Sequence, residues 1–128
     1  MAKKKPRFRL KTYGIYTQWD SESRELPRVL EVTTRIPGVI DVEFGFVANV
    51  KGGKNIPLQF CIAHPGIKDK DGAPRPPFAG QVFAKTNDWD FFLGDTIWAP
   101  VIDKLGNWRL TLSYEENVVI EKTFEIYS

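Results

Sequence analysis

The sequence predicts an all-β domain: two antiparallel sheets packed face to face as a sandwich of seven to eight strands, with a closed barrel as the alternative. Three observations carry this expectation. Apolar and polar residues alternate with a period of two along most of the chain, which places one parity on a buried sheet face. Gly, Pro, Asn and Asp recur between the alternating runs, as they do at turns. No segment of useful length shows a helical period.

The elements follow in order. Phe8 and Leu10 alternate with Arg7, Arg9 and Lys11, a first strand. Leu30, Val32, Thr34 and Ile36 alternate with Glu31, Thr33 and Arg35, a second. The clearest run is Ile40, Val42, Phe44, Phe46, Ala48 and Val50. Lys51-Gly52-Gly53-Lys54 then forms a hairpin connection, because glycine tolerates the positive φ of tight turns. The return strand buries Ile56, Leu58, Phe60 and Ile62, with Pro57 near its start.

Residues 64–78 hold four prolines and two glycines and are a long loop. A strand near 79–85 follows. Residues 86–95 are expected as a polar and aromatic connection, with Asp88 capping a short helical turn through Phe92. Ile97 to Ile102 is a short strand interrupted by Pro100, and residues 103–107 are a turn. A hairpin closes the chain: Trp108, Leu110, Leu112 and Tyr114 run inward, Glu115-Glu116-Asn117 turns, and Ile120, Phe124 and Ile126 return.

A chain of 128 residues is one domain, here 1–128 with a basic tail at 1–7. Hydrophobic residues make up 42% and charged residues 27%, which excludes disordered and membrane classes. No run approaches the roughly 20 apolar residues that span a bilayer. The basic start lacks a following apolar segment, so no signal peptide is expected. With the single cysteine, Cys61, this favours a cytoplasmic location. Six of the 18 Lys and Arg lie in residues 1–11, which hold no acid; the other twelve face all 16 acids, a net of −4.

A family likeness appears in the C-terminal half. Gly72-Ala73-Pro74-Arg75-Pro76-Pro77-Phe78, Asn87-Asp88-Trp89-Asp90-Phe91-Phe92-Leu93-Gly94-Asp95-Thr96-Ile97-Trp98, Asp103-Lys104-Leu105-Gly106-Asn107-Trp108-Arg109 and Glu121-Lys122-Thr123-Phe124-Glu125-Ile126 resemble the bacterial domain of unknown function 3859 family. The likeness covers most of the chain from about Gly14 onward, without the basic start. It brings no activity with it. The Gly106-Asn107-Trp108-Arg109-Leu110-Thr111-Leu112 hairpin is similar to the last hairpin of many immunoglobulin-like modules, which implies an immunoglobulin-like sandwich.

Catalytic constellations are hard to assemble from this composition. Cys61 and His64 are the only cysteine and histidine, short of a four-ligand zinc site and pointing to opposite faces if both lie on one strand. No Gly-x-Ser-x-Gly elbow exists. Asp69-Lys70-Asp71-Gly72 resembles the start of a calcium loop but lacks its distal Glu; a solvated turn is the plainer reading. No cofactor, metal or catalytic residue is expected.

Binding residues are expected at the loop ends. Alternating strand direction would place loops 18–27, 51–55, 86–95 and 115–118 at one end. Trp19, Asp20, Glu22, Asp88, Trp89, Asp90, Glu115 and Glu116 would gather there with Lys51 and Lys54. Displayed tryptophans beside acids suit a sugar, cation or peptide, although Trp89 and Phe92 folding back onto the core is the commoner arrangement. The other end would hold residues 37–39, 64–78, 103–107 and the basic start, with Arg75 and Phe78 on an extended Pro-rich segment. Lys3, Lys4, Lys5, Arg7 and Arg9 offer a polyanion contact, which the acidic remainder opposes. The leading expectation is a non-catalytic interaction module binding a protein partner, or a second copy, through loops or a sheet edge. Carbohydrate or small-ligand binding and weak nucleic-acid contact are the alternatives, and no membrane contact is expected.

Overall fold

The alternation of Phe44, Phe46, Ala48 and Val50 makes one strand the centre of the molecule. A computed structural model describes residues 5–18 and 25–128. Among these, nine strands form two sheets: β1 (Arg7–Tyr16), β2 (Val29–Glu31), β3 (Arg35–Pro37), β4 (Glu43–Lys51), β5 (Pro57–Ala63), β6 (Phe78–Phe83), β7 (Asp88–Thr96), β8 (Gly106–Tyr114) and β9 (Asn117–Tyr127). The first sheet has the order β2-β1-β4-β7 and the second β3-β9-β8-β5-β6. The expected two-sheet sandwich is present, with more strands than the seven to eight foreseen.

The core lies between the sheets. Phe44, Phe46, Ala48 and Val50 of β4 meet Leu58 of β5, Trp108, Leu110 and Leu112 of β8, and Phe124 and Ile126 of β9. The Phe44 ring stands edge-on to Trp108 at 5.2 Å and 88°, the arrangement that matches a positive ring edge to a negative ring face. A second cluster covers the outside of the first sheet, where Tyr16, Val47 and Phe92 pack with Leu26. It explains why β4 is buried on both faces.

Several expected elements are corrected. Residues 86–95 are not a capped helical turn. β7 pairs with β4 along nine positions, from Lys51↔Asp88 to Glu43↔Thr96. Trp89, Phe91 and Leu93 turn to the core, while Asp88 and Asp90 reach Asn49 on the outer face. The acids disguise a strand that alternates well. Residues 97–102 are not a strand; they hold a cis Ala99–Pro100 bond, and a 3-10 turn spans Ile102–Lys104. Gly106 and Asn107, expected in a turn, already belong to β8.

The run from Leu30 to Ile36 is two strands in different sheets. β2 pairs antiparallel with β1, and β3 pairs parallel with β9 through Arg35↔Glu125 and Ile36↔Ile126. The sandwich is therefore not wholly antiparallel. Leu30 and Val32 are exposed, and only Ile36 of that parity is buried. The Arg35 N–H donates to Thr33 Oγ1 at 3.0 Å, fixing the bend between the two. Ile40 lies outside β4 and is exposed.

Gly14, Gly45 and Gly94 stand in register across β1, β4 and β7. Gly14 and Gly45 have φ of +134° and +154°, a region that strains any residue with a Cβ. A Cβ at Gly45 would run into the Leu93 carbonyl oxygen.

Candidate functional site

Two loops at one end of the sandwich enclose a cleft of about 800 Å³. One arm is the loop 64–77 between β5 and β6; the other is 97–105 between β7 and β8. Neither arm is loose. His64 Nδ1 accepts from the Ile67 N–H at 3.0 Å, and Nε2 lies 3.1 Å from the Pro76 carbonyl oxygen, so the ring ties both ends of its loop. This bonding requires the proton on Nε2. Asp69 Oδ1 accepts from the Asp71 and Ala73 N–H groups, and the Arg75 N–H donates to the Ile67 oxygen. The calcium-loop resemblance resolves into this turn.

Lys104 anchors the second arm. Its side chain is 1% exposed. Its ammonium donates to the Pro100 oxygen at 2.9 Å and to Asp103 Oδ1 at 2.8 Å and lies 4.4 Å from the Trp98 ring centroid. Those contacts satisfy a cation that burial would otherwise penalise heavily. The hydrogen bond from Lys104 holds the Asp103 carboxyl below the usual carboxylate range. Asp103 Oδ2 also accepts from the Lys68 N–H at 3.3 Å, joining the two arms. Apolar wall is supplied by Ile67, Trp98, Pro100, Ile102 and Leu105. Ile102 is 78% exposed.

Behind the cleft lies an aromatic cluster. His64 packs on Phe78 and Trp108, and Phe78 on Trp98. Asp95 is nearby: burial raises its pKa to about 6, with Glu43 adding to the rise and His64 and Lys104 opposing it. Thr96 donates its backbone N–H to Asp95 Oδ1 at 2.8 Å. Thr96 Oγ1 donates to Glu43 Oε2 at 2.9 Å.

A model of the family described as Domain of unknown function (DUF3859) matches residues 4–126. The chain belongs to this family. The match starts well ahead of Gly14, where the sequence likeness was expected to begin. The DUF3859 chain is also similar to the crystal structure of an immunoglobulin-like protein from Pseudomonas aeruginosa. The TM-score is 0.78 at 20% identity, covering 99% of this chain and 100% of that one. At that identity the likeness shows the fold alone: an immunoglobulin-like sandwich. No curated protein matches.

The fold redistributes the loop ends expected for this DUF3859 domain. Loops 52–56, 84–87 and 115–116 share one end with the basic start, because Arg7 pairs with Lys51 and Lys51 with Asp88. The start was expected at the opposite end. Conversely, Tyr16 pairs with Glu43, so the flanks of loop 18–27 lie at the cleft end, away from Asp88 and Trp89. The cause is the run from Leu30 to Ile36, which was expected to cross the sandwich as one strand but splits into β2 and β3, both at the Glu43 end. Trp19 and Asp20 lie outside the described residues, as do Lys3 and Lys4.

Trp89 is half-buried, stacked on Phe91 at 5.1 Å and 20°. Asp88 and Asp90 both accept from Asn49 at 2.8 Å, and Lys11 bridges Asp90 at 2.8 Å. Burial would push the Asp90 carboxyl up, but Lys11 and Asn49 outweigh it and hold it low. Arg9, Lys11 and Lys51 share a shallow depression with Asp88 and Asp90, so the basic strand meets acids across β4. Lys5 lies beside a separate cleft with Phe8 and Tyr114. Of the expected binding residues, Arg75 lines the larger cleft and Phe78 supports it from behind.

Trp98, Ile102 and Lys104 were missed by sequence reasoning. Lys104 follows an acid and precedes Leu-Gly-Asn, the pattern of a solvated turn; its burial follows from the path of β7. Among the described residues, no group of three His, Cys, Asp or Glu is placed to hold a metal ion. No helix among them is long and apolar enough to cross a membrane.

Proposed function

We propose that this domain is a non-catalytic interaction module that holds a segment of a protein partner in the cleft between loops 64–77 and 97–105. The carrying observation is the pairing of two pinned arms around an open, partly apolar space. A connection of fourteen residues is long for a compact domain and usually serves function. Here it is ordered by its own hydrogen bonds, which lowers the entropy lost on binding. Ile102 is displayed beside it at 78% exposure, and apolar groups at the centre of a contact supply much of its affinity. The volume suits a few side chains rather than a whole domain.

Photo-crosslinking in cells tests this reading. A benzophenone amino acid at Ile102 should trap a discrete protein adduct, and the same group at Thr123, on the outer face of the second sheet, should not. Equal trapping at both positions, or none at Ile102, would overturn it.

A further inference from the structure

The charges around the cleft do not cancel. Lys68, Asp69, Lys70, Arg75, Asp103 and Lys104 line it. Both carboxylates are consumed internally. Asp69 Oδ1 caps its own turn through two backbone N–H groups, and Asp103 holds the Lys104 ammonium and the Lys68 N–H. Lys104 is buried and spent on that pair. Lys68, Lys70 and Arg75 are exposed, and among the described residues none of their side chains has an ion-pair or hydrogen-bond partner. Three unpaired cations thus stand on one arm, facing the apolar wall of Pro100, Ile102 and Leu105 on the other.

We infer that the occupant of the cleft is an acidic segment of a partner protein that also carries an apolar side chain. Its carboxylates meet Lys68, Lys70 and Arg75, and its apolar side chain lies against Ile102 and Leu105. The inference rests on the cleft being the partner-binding face. Charge complementarity favours such a segment over a basic or neutral one, and Arg75 can grip a carboxylate with two parallel N–H donors. A nucleic-acid backbone fits less well. Asp69 and Asp103 interrupt the cations, and the chain beyond residue 11 has twelve bases against sixteen acids, whereas a phosphate tract needs uninterrupted positive charge.

Amide NMR on the full chain decides it. The probes are three pools of short peptides, built from Asp, Glu, Leu and Phe, from Lys, Arg, Leu and Phe, and from Ser, Gly, Leu and Phe, together with single-stranded oligothymidylate. The acidic pool should shift signals of residues 65–75 and 98–105 at millimolar concentration. K70E with R75E should weaken that binding about tenfold or more, and added salt should weaken it in the parent chain. Both substitutions change exposed side chains, and an unaltered core spectrum verifies the fold. If the neutral or basic pool moves the cleft signals and the acidic pool does not, the acidic chemistry is wrong while the binding face stands. If no peptide pool moves them, both fall. Oligothymidylate binding there more tightly than the acidic pool would overturn the peptide assignment.

Discussion

The indole N–H of Trp108 donates to the backbone oxygen of Lys104 at 2.8 Å. The largest fully buried side chain of the core therefore fastens the turn that carries the buried ammonium of the cleft. The cleft end is an extension of the core rather than an addition to it, and its rigidity follows from core packing.

Lys104→Met tests that link. The methionine keeps the volume but leaves the Pro100 oxygen and the Asp103 carboxylate without their cation. Losing one partner of a buried pair typically costs about 3 kcal/mol, and urea denaturation should show a loss of that order. Asp103→Asn combined with Lys104→Met should cost less than the sum of the two single changes. A Lys104→Met protein as stable as the parent would show that the ammonium contributes nothing net.

Asp95 makes stability fall as pH rises. Its folded pKa of about 6 lies above the ordinary aspartate value of 3.8, so the folded state favours the protonated acid. That contribution is complete below the unfolded pKa and lost as pH climbs through about 6. That rise corresponds to about 3 kcal/mol at most, and partial solvent access brings this to about 1–2 kcal/mol. Asp95→Asn should therefore stabilise the protein at pH 8 and change little at pH 4, read as the difference in thermal midpoint. An equal effect at both pH values would refute the assignment.

Asn49 acts in the opposite sense. It is buried and donates to two carboxylates, helping to hold Asp90 low. A lowered carboxylate stabilises the fold above its unfolded pKa and loses that effect as pH falls through the folded value. Asn49→Ala should cost about 1–2 kcal/mol near neutrality, and less in acid. Denaturation curves at both pH values check this.

The glycines separate strain from collision. Gly52 has a φ of +72° with nothing within 4 Å of an added Cβ, so Gly52→Ala should cost about 1 kcal/mol. Gly45→Ala adds a clash with the backbone of β7 and should cost about 3 kcal/mol or more. Comparable losses at the two positions would mean that β7 can move aside.

Strand parity made the sheets legible. Phe44 to Val50 and Trp108 to Tyr114 announce their buried faces. The likeness in residues 72–78, 87–98, 103–109 and 121–126 pointed to the family. What stayed hidden was where strands begin when charge disguises them. Asp88 and Asp90 look like loop residues because nothing local reveals that Asn49 and Lys11 will satisfy them across a sheet. The inverted position of loop 18–27 and of the basic start came from the run Leu30 to Ile36, which stays at one end instead of crossing the sandwich. The split between β2 and β3 was equally hidden, because Leu30 to Ile36 keeps one parity while the partner sheet changes. Arg75 and Phe78 were found through their Pro-rich loop. Lys104 was not, because a buried cation is defined by tertiary partners.

The strand order leaves β2 and β7 flanking one sheet and β3 and β6 flanking the other. Open flanks are where β proteins template one another into aggregates. β2 and β3 are three residues each, too short to nucleate a fibril-like ladder. β7 is long, but Asp88, Asp90 and Asp95 charge it along its length. β6 carries no charge and ends on the exposed Phe83; the prolines at 76 and 77, just before it, have no N–H to offer an incoming chain. The same acids that hid β7 in the sequence keep its flank from recruiting further strands, leaving β6 as the site where self-association would begin if the protein were concentrated or partly unfolded.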